Sequence, residues 1–190
     1  MGIGSDILMR TFGRPSGVLG RLGGVILART NRRYAAWVVD LLDVQQPDRV
    51  LEIGFGPGVA IEMLAARAAH VAGVDPSAEM LRQATKRNAA AIRNGRVELR
   101  RCSAEGLPFA DGRFDKALAI NSMQLWPDTL AGLREVSRVL RHDGQIALAF
   151  TAYSGQQRDG VAELIAEAGF SDCRVVDTEK AFCVLASSRA

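Results

Sequence analysis

Val50-Leu51-Glu52-Ile53-Gly54-Phe55-Gly56-Pro57-Gly58 runs a strand-like segment into a turn holding Gly54, Gly56 and Gly58, and an apolar helix pattern follows from Val59 to Ala69. Glycine lets the backbone turn sharply and lets a ligand approach the main chain. A helix start offers free N–H groups, which dinucleotide folds use to hold pyrophosphate. Here the spacing departs from the dinucleotide fingerprint G-x-G-x-x-G: Val59 stands where its third glycine would be, and Pro57 removes one N–H. Pyrophosphate would also meet the acidic Glu52. The turn suits a positively charged cofactor without phosphate.

Outward from this turn the chain alternates strands and helices. Val71 to Asp75 reads as the second strand, and Asp75 lies roughly 20 residues past the turn, where an acid reaches a ribose. Its carboxylate can accept from both ribose hydroxyls. Pro76-Ser77 opens a helix to about Asn88, with Ser77 as N-cap. Strands follow at Val97–Arg101, Phe114–Ile120 and Gln145–Phe150. Helices follow at about Leu130–Leu140 and Gly160–Ala168, and a closing hairpin joins Cys173–Asp177 to Ala181–Ala186. This is an α/β pattern: seven strands in a mainly parallel sheet, the last antiparallel, with helices on both faces. In such sheets ligands bind beyond the carboxyl ends of the strands, where strand order reverses.

The chain has 190 residues and a formal net charge of +3, which suits one globular domain and argues for no particular partner. The charge is uneven. Arg10, Arg14, Arg21, Arg29, Arg32 and Arg33 face one acid, Asp6, ahead of a near-neutral body. Such a basic arm could meet an anionic substrate, a membrane surface or nucleic acid. Cys102, Cys173 and Cys183 form no C-x-x-C pair, and His70 and His142 are the only imidazoles, so neither a disulfide framework nor a metal site is expected. No segment approaches the ~20 apolar residues of a membrane span, and no signal peptide is read. A cytoplasmic location is expected, with peripheral membrane contact through the Val18–Ala28 stretch left open.

Four segments in order resemble the class I S-adenosylmethionine-dependent methyltransferases, particularly the small-molecule branch around ubiquinone/menaquinone biosynthesis. They are Leu51–Gly58, Gly73–Leu81, Ala104–Asp115 and Glu135–Gly144. The resemblance implies a Rossmann-like fold and S-adenosyl-L-methionine as cofactor, with S-adenosyl-L-homocysteine as product. It implies that Glu52, Gly54, Phe55, Gly56 and Gly58 surround the methionine part, that Asp75 binds the ribose, and that Pro76 and Met80 flank the adenine. Ser103, Ala104 and Glu105 fall at the adenine edge, although family members often carry Asp where this chain has Ser103. Asn121 falls near the cofactor and the methyl group. Residues 1–46 are then a helical arm or lid and residues 47–190 the cofactor-binding domain.

Methyl transfer from a sulfonium is an in-line displacement that alignment and water exclusion can accelerate, and a base is needed only if the nucleophile must lose a proton. His70 and His142 precede strands and so fall at the wrong end of the sheet, which leaves no assignable base. Tyr34, Gln124 and Trp126 are candidates for the acceptor pocket. Asn121-Ser122-Met123-Gln124 lacks the Asn/Asp-Pro-Pro-Tyr pattern of related nucleobase and glutamine methyltransferases. A small-molecule or lipid-like acceptor is therefore expected, and nucleic acid is not. The competing readings are an NAD(P)-dependent oxidoreductase and a catalytically inactive S-adenosylmethionine-binding protein. A homodimer is also open.

Overall fold

A computed structural model describes residues 32–189. The arm before residue 32, including Val18–Ala28, lies outside the described residues.

The described chain opens in a helix, α1, over residues 32–41. β1 (Arg49–Ile53), α2 (Val59–Ala65), β2 (His70–Val74), α3 (Ala78–Arg87), α4 (Ala89–Arg93) and β3 (Val97–Arg100) build one half. β4 (Phe114–Ile120), α5 (Thr129–Val139), β5 (Leu140–Thr151), α6 (Val161–Glu167), β6 (Phe170–Thr178) and β7 (Ala181–Ser188) build the other. The strands form one seven-stranded sheet in the order β3-β2-β1-β4-β5-β7-β6. β7 alone runs antiparallel, inserted between β5 and β6. The expected sheet, closing hairpin and antiparallel last strand are all present.

Period-two alternation sorts the side chains onto two faces. Leu51 and Ile53, Ala117 and Ala119, and Ile146 and Leu148 pack with Leu133 and Val136 of α5 and Ile165 of α6. Val50, Leu118, Ile120, Ala147 and Ala149 pack on the opposite face with α2 and α3. Ala35, Val38, Val39 and Leu42 join that second face at helical spacing, so α1 packs into the same core. Glu52 alternates with Leu51 and Ile53, so its side chain is carried to the α2 side together with Val50.

Two details differ from the sequence expectation. The chain passes from α5 directly into β5, and the turn expected at His142-Asp143-Gly144 survives as a bulge within that strand. Pairing jumps from Phe114↔Leu140 to Lys116↔Gln145, and Asp143 sits at φ 60°. The short α4 was not anticipated; it follows when Asn88 caps the end of α3 and the helix restarts.

Candidate active site

The chain leaves β1 toward β2 and β3 on one side, and later enters β4 and β5 on the other, so strand order reverses between β1 and β4. Beyond the carboxyl ends of these strands lies a cleft of about 910 Å³. Its wall includes Glu52, Gly54, Phe55, Gly56, Asp75, Pro76, Met80, Ser103, Ala104, Asn121 and Trp126 of the expected site residues. Gly58, Glu105, Tyr34 and Gln124 do not line it. His70 opens β2 and His142 lies in the β5 bulge, both at the opposite end of the sheet.

The three glycines of the turn serve different ends. All have positive φ, at 77°, 51° and 78° for Gly54, Gly56 and Gly58. A Cβ on Gly54 would fall 2.4 Å from Ser122 Cβ, and one on Gly58 would fall 2.7 Å from Ala84 Cβ. These two positions let the turn press against the segment after β4 and against α3. A Cβ on Gly56 would meet nothing within 4 Å and would project into open space. Gly56 is thus the position where bare backbone faces the cleft.

The N–H groups of this turn are spent within the protein. Gly54 and Phe55 donate to Val74 O, Gly58 donates to Phe55 O at 2.9 Å, and Gly56 donates to Asp75 Oδ2 at 2.9 Å. Pro57 has none to give. No donor remains in the turn to cradle a pyrophosphate.

The carboxylates point the same way. Glu52 is buried, and its Oε2 has no hydrogen-bond partner. Burial pushes its carboxyl well above the usual range, the Asp75 charge adds to this, and the Ile61 N–H opposes it. Asp75 is also buried, and its carboxyl is pushed up to about 6 by burial, against the N–H donations of Ser77 and Gly56. Its two oxygens each hold one backbone N–H and keep lone pairs for further donors. An orphaned carboxylate oxygen buried beside a second carboxylate is a place for a cation and for hydroxyl donors.

Around the rim, Ser103 Oγ donates to Glu105, whose other oxygen accepts from Asp128 N at 3.2 Å. Glu105 therefore stands behind Ser103 and ties the loop after β3 to the start of α5. Burial would raise its carboxyl, but the Ser103 hydroxyl and the Asp128 N–H hold it below the usual range. Gln124 Nε2 donates to Asn121 O at 3.0 Å, which folds Gln124 back onto its own turn. Met123 is a core residue, whereas Leu125 and Trp126 reach the cleft. Arg32, on α1, lies 3.7 Å from Glu62.

Sequence reading missed the network that holds the loop after β3. Arg138 donates to Phe109 O at 2.9 Å and Leu107 O at 3.0 Å, and pairs with Asp111 and Glu135. Glu135 accepts from Leu107 N at 2.9 Å. The third and fourth of the family-like segments are thus two sides of one contact.

The "Methyltransferase domain" family model matches residues 50–144, half of the chain, including every residue of the cleft wall but Ala35. The chain belongs to this methyltransferase family. The uncharacterized methyltransferase YdaC of Bacillus subtilis is 30% identical over 129 residues, covering 67% of this chain and 69% of that one. The ubiquinone/menaquinone biosynthesis C-methyltransferase UbiE of Citrifermentans bemidjiense is 31% identical over 121 residues, 62% of this chain and 52% of that protein. Among solved structures, a SAM dependent methyltransferase from Aquifex aeolicus superposes with a TM-score of 0.70 at 20% identity, covering 80% of this chain and 88% of that one. That likeness shows the shared fold. As a methyltransferase of this family the chain uses S-adenosylmethionine, and the oxidoreductase alternative falls, in keeping with the consumed N–H groups of the turn.

Proposed function

We propose that this methyltransferase acts on a small-molecule or lipid-like acceptor, with Glu52, Asp75 and the backbone at Gly56 as the principal holders of its cofactor. The observation that carries the cofactor assignment is the orphaned, buried Glu52 Oε2 beside Asp75 in the cleft wall. When bound, S-adenosylmethionine supplies a methyl carbon made electrophilic by its sulfonium. Glu52 Oε2 is suited to a cationic ammonium, and Asp75 to the ribose hydroxyls. Pro76 and Met80 offer apolar surface for the adenine, with Ser103 and Ala104 at its edge and Glu105 fixing Ser103.

On the acceptor side the wall is apolar. Ile120, Leu125, Trp126 and Pro127 face the cleft. Leu125 and Tyr153 are the exposed large hydrophobics among the described residues; both follow carboxyl ends of strands, and Leu125 lies in the cleft wall. These side chains exclude water and align an apolar acceptor. No histidine reaches this end of the sheet, so alignment and desolvation carry the rate, and the nucleophile arrives with an available lone pair or an already labile proton. Tyr34 and Gln124 stand outside the wall, and their part in the acceptor pocket rests on movement of α1 or of the turn after β4. The basic arm ahead of α1 is proposed as a lid and as a contact for an anionic membrane surface or a second copy of the chain. Among the described residues no helix is long and apolar enough to cross a membrane.

Transfer of labelled methyl from S-adenosylmethionine to a panel of apolar phenols, quinols and fatty acyl compounds, beside peptides and RNA, tests the acceptor class. Label in the apolar compounds is expected; label confined to peptide or RNA would overturn it.

A further inference from the structure

We propose that Thr151 is a positioning residue that turns the Asn121 carboxamide so that its amino group binds the carboxylate of the cofactor's amino-acid tail. This rests on the cofactor reading above.

Asn121 ends β4 at φ 52°, a left-handed conformation that Asn and Asp tolerate better than other side chains. Its N–H donates to Ala149 O at 2.9 Å, which pins it to β5. Its Oδ1 accepts from Thr151 N at 2.8 Å and from Thr151 Oγ1 at 3.2 Å. A backbone N–H can only donate, so the amide atom facing it must be the carbonyl oxygen. The Asn121 amino group is therefore turned away from β5. Asn121 lines the cleft, and nothing among the described residues accepts from its Nδ2. The result is a donor of fixed orientation with no partner among the described residues.

The ligand chemistry follows from the neighbours. Ser122 Oγ donates to Ile53 O at 2.7 Å, so the residues flanking Asn121 and Glu52 touch. This side of the cleft thus pairs Glu52, a buried carboxyl with a partnerless oxygen, with an oriented neutral donor. A zwitterionic amino-acid group needs both: an acceptor for its ammonium and a donor for its carboxylate. The cationic side chains in the described cleft wall, Arg82 and Arg101, stand elsewhere. Arg82 is engaged by Glu79, and Arg101 donates to Pro76 O at 3.0 Å.

Calorimetric titration of the full chain with S-adenosylhomocysteine, and with its analogue lacking the carboxylate, tests this. The wild-type chain should bind S-adenosylhomocysteine about tenfold more tightly than the analogue, the usual effect of one hydrogen bond to a charged group. Asn121→Asp keeps the tolerated backbone and the bond from Thr151 but turns an anion toward the carboxylate. It should weaken S-adenosylhomocysteine at least about tenfold and leave the analogue unweakened. Thr151→Val, which keeps the N–H donor, should weaken S-adenosylhomocysteine about threefold without touching the analogue, and Thr151→Ser should bind as the wild type does. Equal loss of both ligands in Asn121→Asp, or no loss of either, overturns the proposal while leaving the cofactor reading intact. Failure of the folded wild-type chain to bind S-adenosylhomocysteine overturns both.

Discussion

Asp75 accepts two backbone N–H groups in a buried place, and its carboxyl is pushed from 3.8 up to about 6. The folded chain therefore holds this proton more tightly than the unfolded chain does. Stability without cofactor falls as pH rises from the ordinary aspartate range through about 6, and unfolding by denaturant across that window should show the decline. Cofactor binding has the opposite preference, because the ionised carboxylate is the better acceptor for two hydroxyls. Affinity should drop below about pH 6, and binding there should release protons, read by calorimetry in buffers of different ionisation enthalpy. The glycines make a separate prediction. Gly56→Ala should fold with little loss beyond its backbone strain, yet weaken S-adenosylhomocysteine, because its Cβ enters open cleft. Gly58→Ala should instead lower the melting temperature, with a cost of about 1–3 kcal/mol from overpacking against Ala84. The sequence pattern marked the glycine turn and Asp75 as candidate cofactor residues, and Gly54, Gly56 and Asp75 do line the cleft, but the different burdens on the three glycines are set by α3 and Ser122, distant in sequence.

At the scale of elements, α5 holds the loop after β3 through Arg138 and Glu135. Arg138→Ala removes two bonds to loop carbonyls and leaves Leu107 O and Phe109 O without those donors. A loss of about 1–3 kcal/mol is expected in chemical denaturation, together with weaker cofactor binding as Ala104 and Ser103 loosen. Helical spacing of Leu133, Val136 and Val139 made α5 legible in the sequence, since burial of one face leaves a period of 3.6. The role of its polar residues was not legible, because a long side chain that satisfies carbonyls on another segment leaves no periodic trace. The β5 bulge escaped for a related reason: Asp143 and Gly144 signal a turn, and only pairing with β4 shows that the strand resumes its register afterwards.

Over the whole molecule, the alternation of strands and helices sufficed to expect a seven-stranded sheet with its ligand site where strand order reverses, and the observed order puts that point between β1 and β4. What stayed hidden was which expected residues meet. Glu105 and Gln124 are near the cleft in sequence, but their side chains are taken up by Ser103 and Asp128 in one case and by Asn121 in the other. Since the cofactor binds the folded chain, the melting temperature should rise with S-adenosylhomocysteine concentration, by RT ln(1 + [L]/Kd) in free energy. The most direct test of the account is a calorimetric titration of the full chain, near neutral pH, with S-adenosylmethionine, S-adenosylhomocysteine and NADH, repeated with Asp75→Asn. Saturable binding of the first two, none of NADH, and a loss of roughly 100-fold in the variant are predicted, as two hydroxyl bonds to a carboxylate would give. Binding of NADH, or an Asp75→Asn chain that holds S-adenosylhomocysteine as tightly as the wild type, would contradict it.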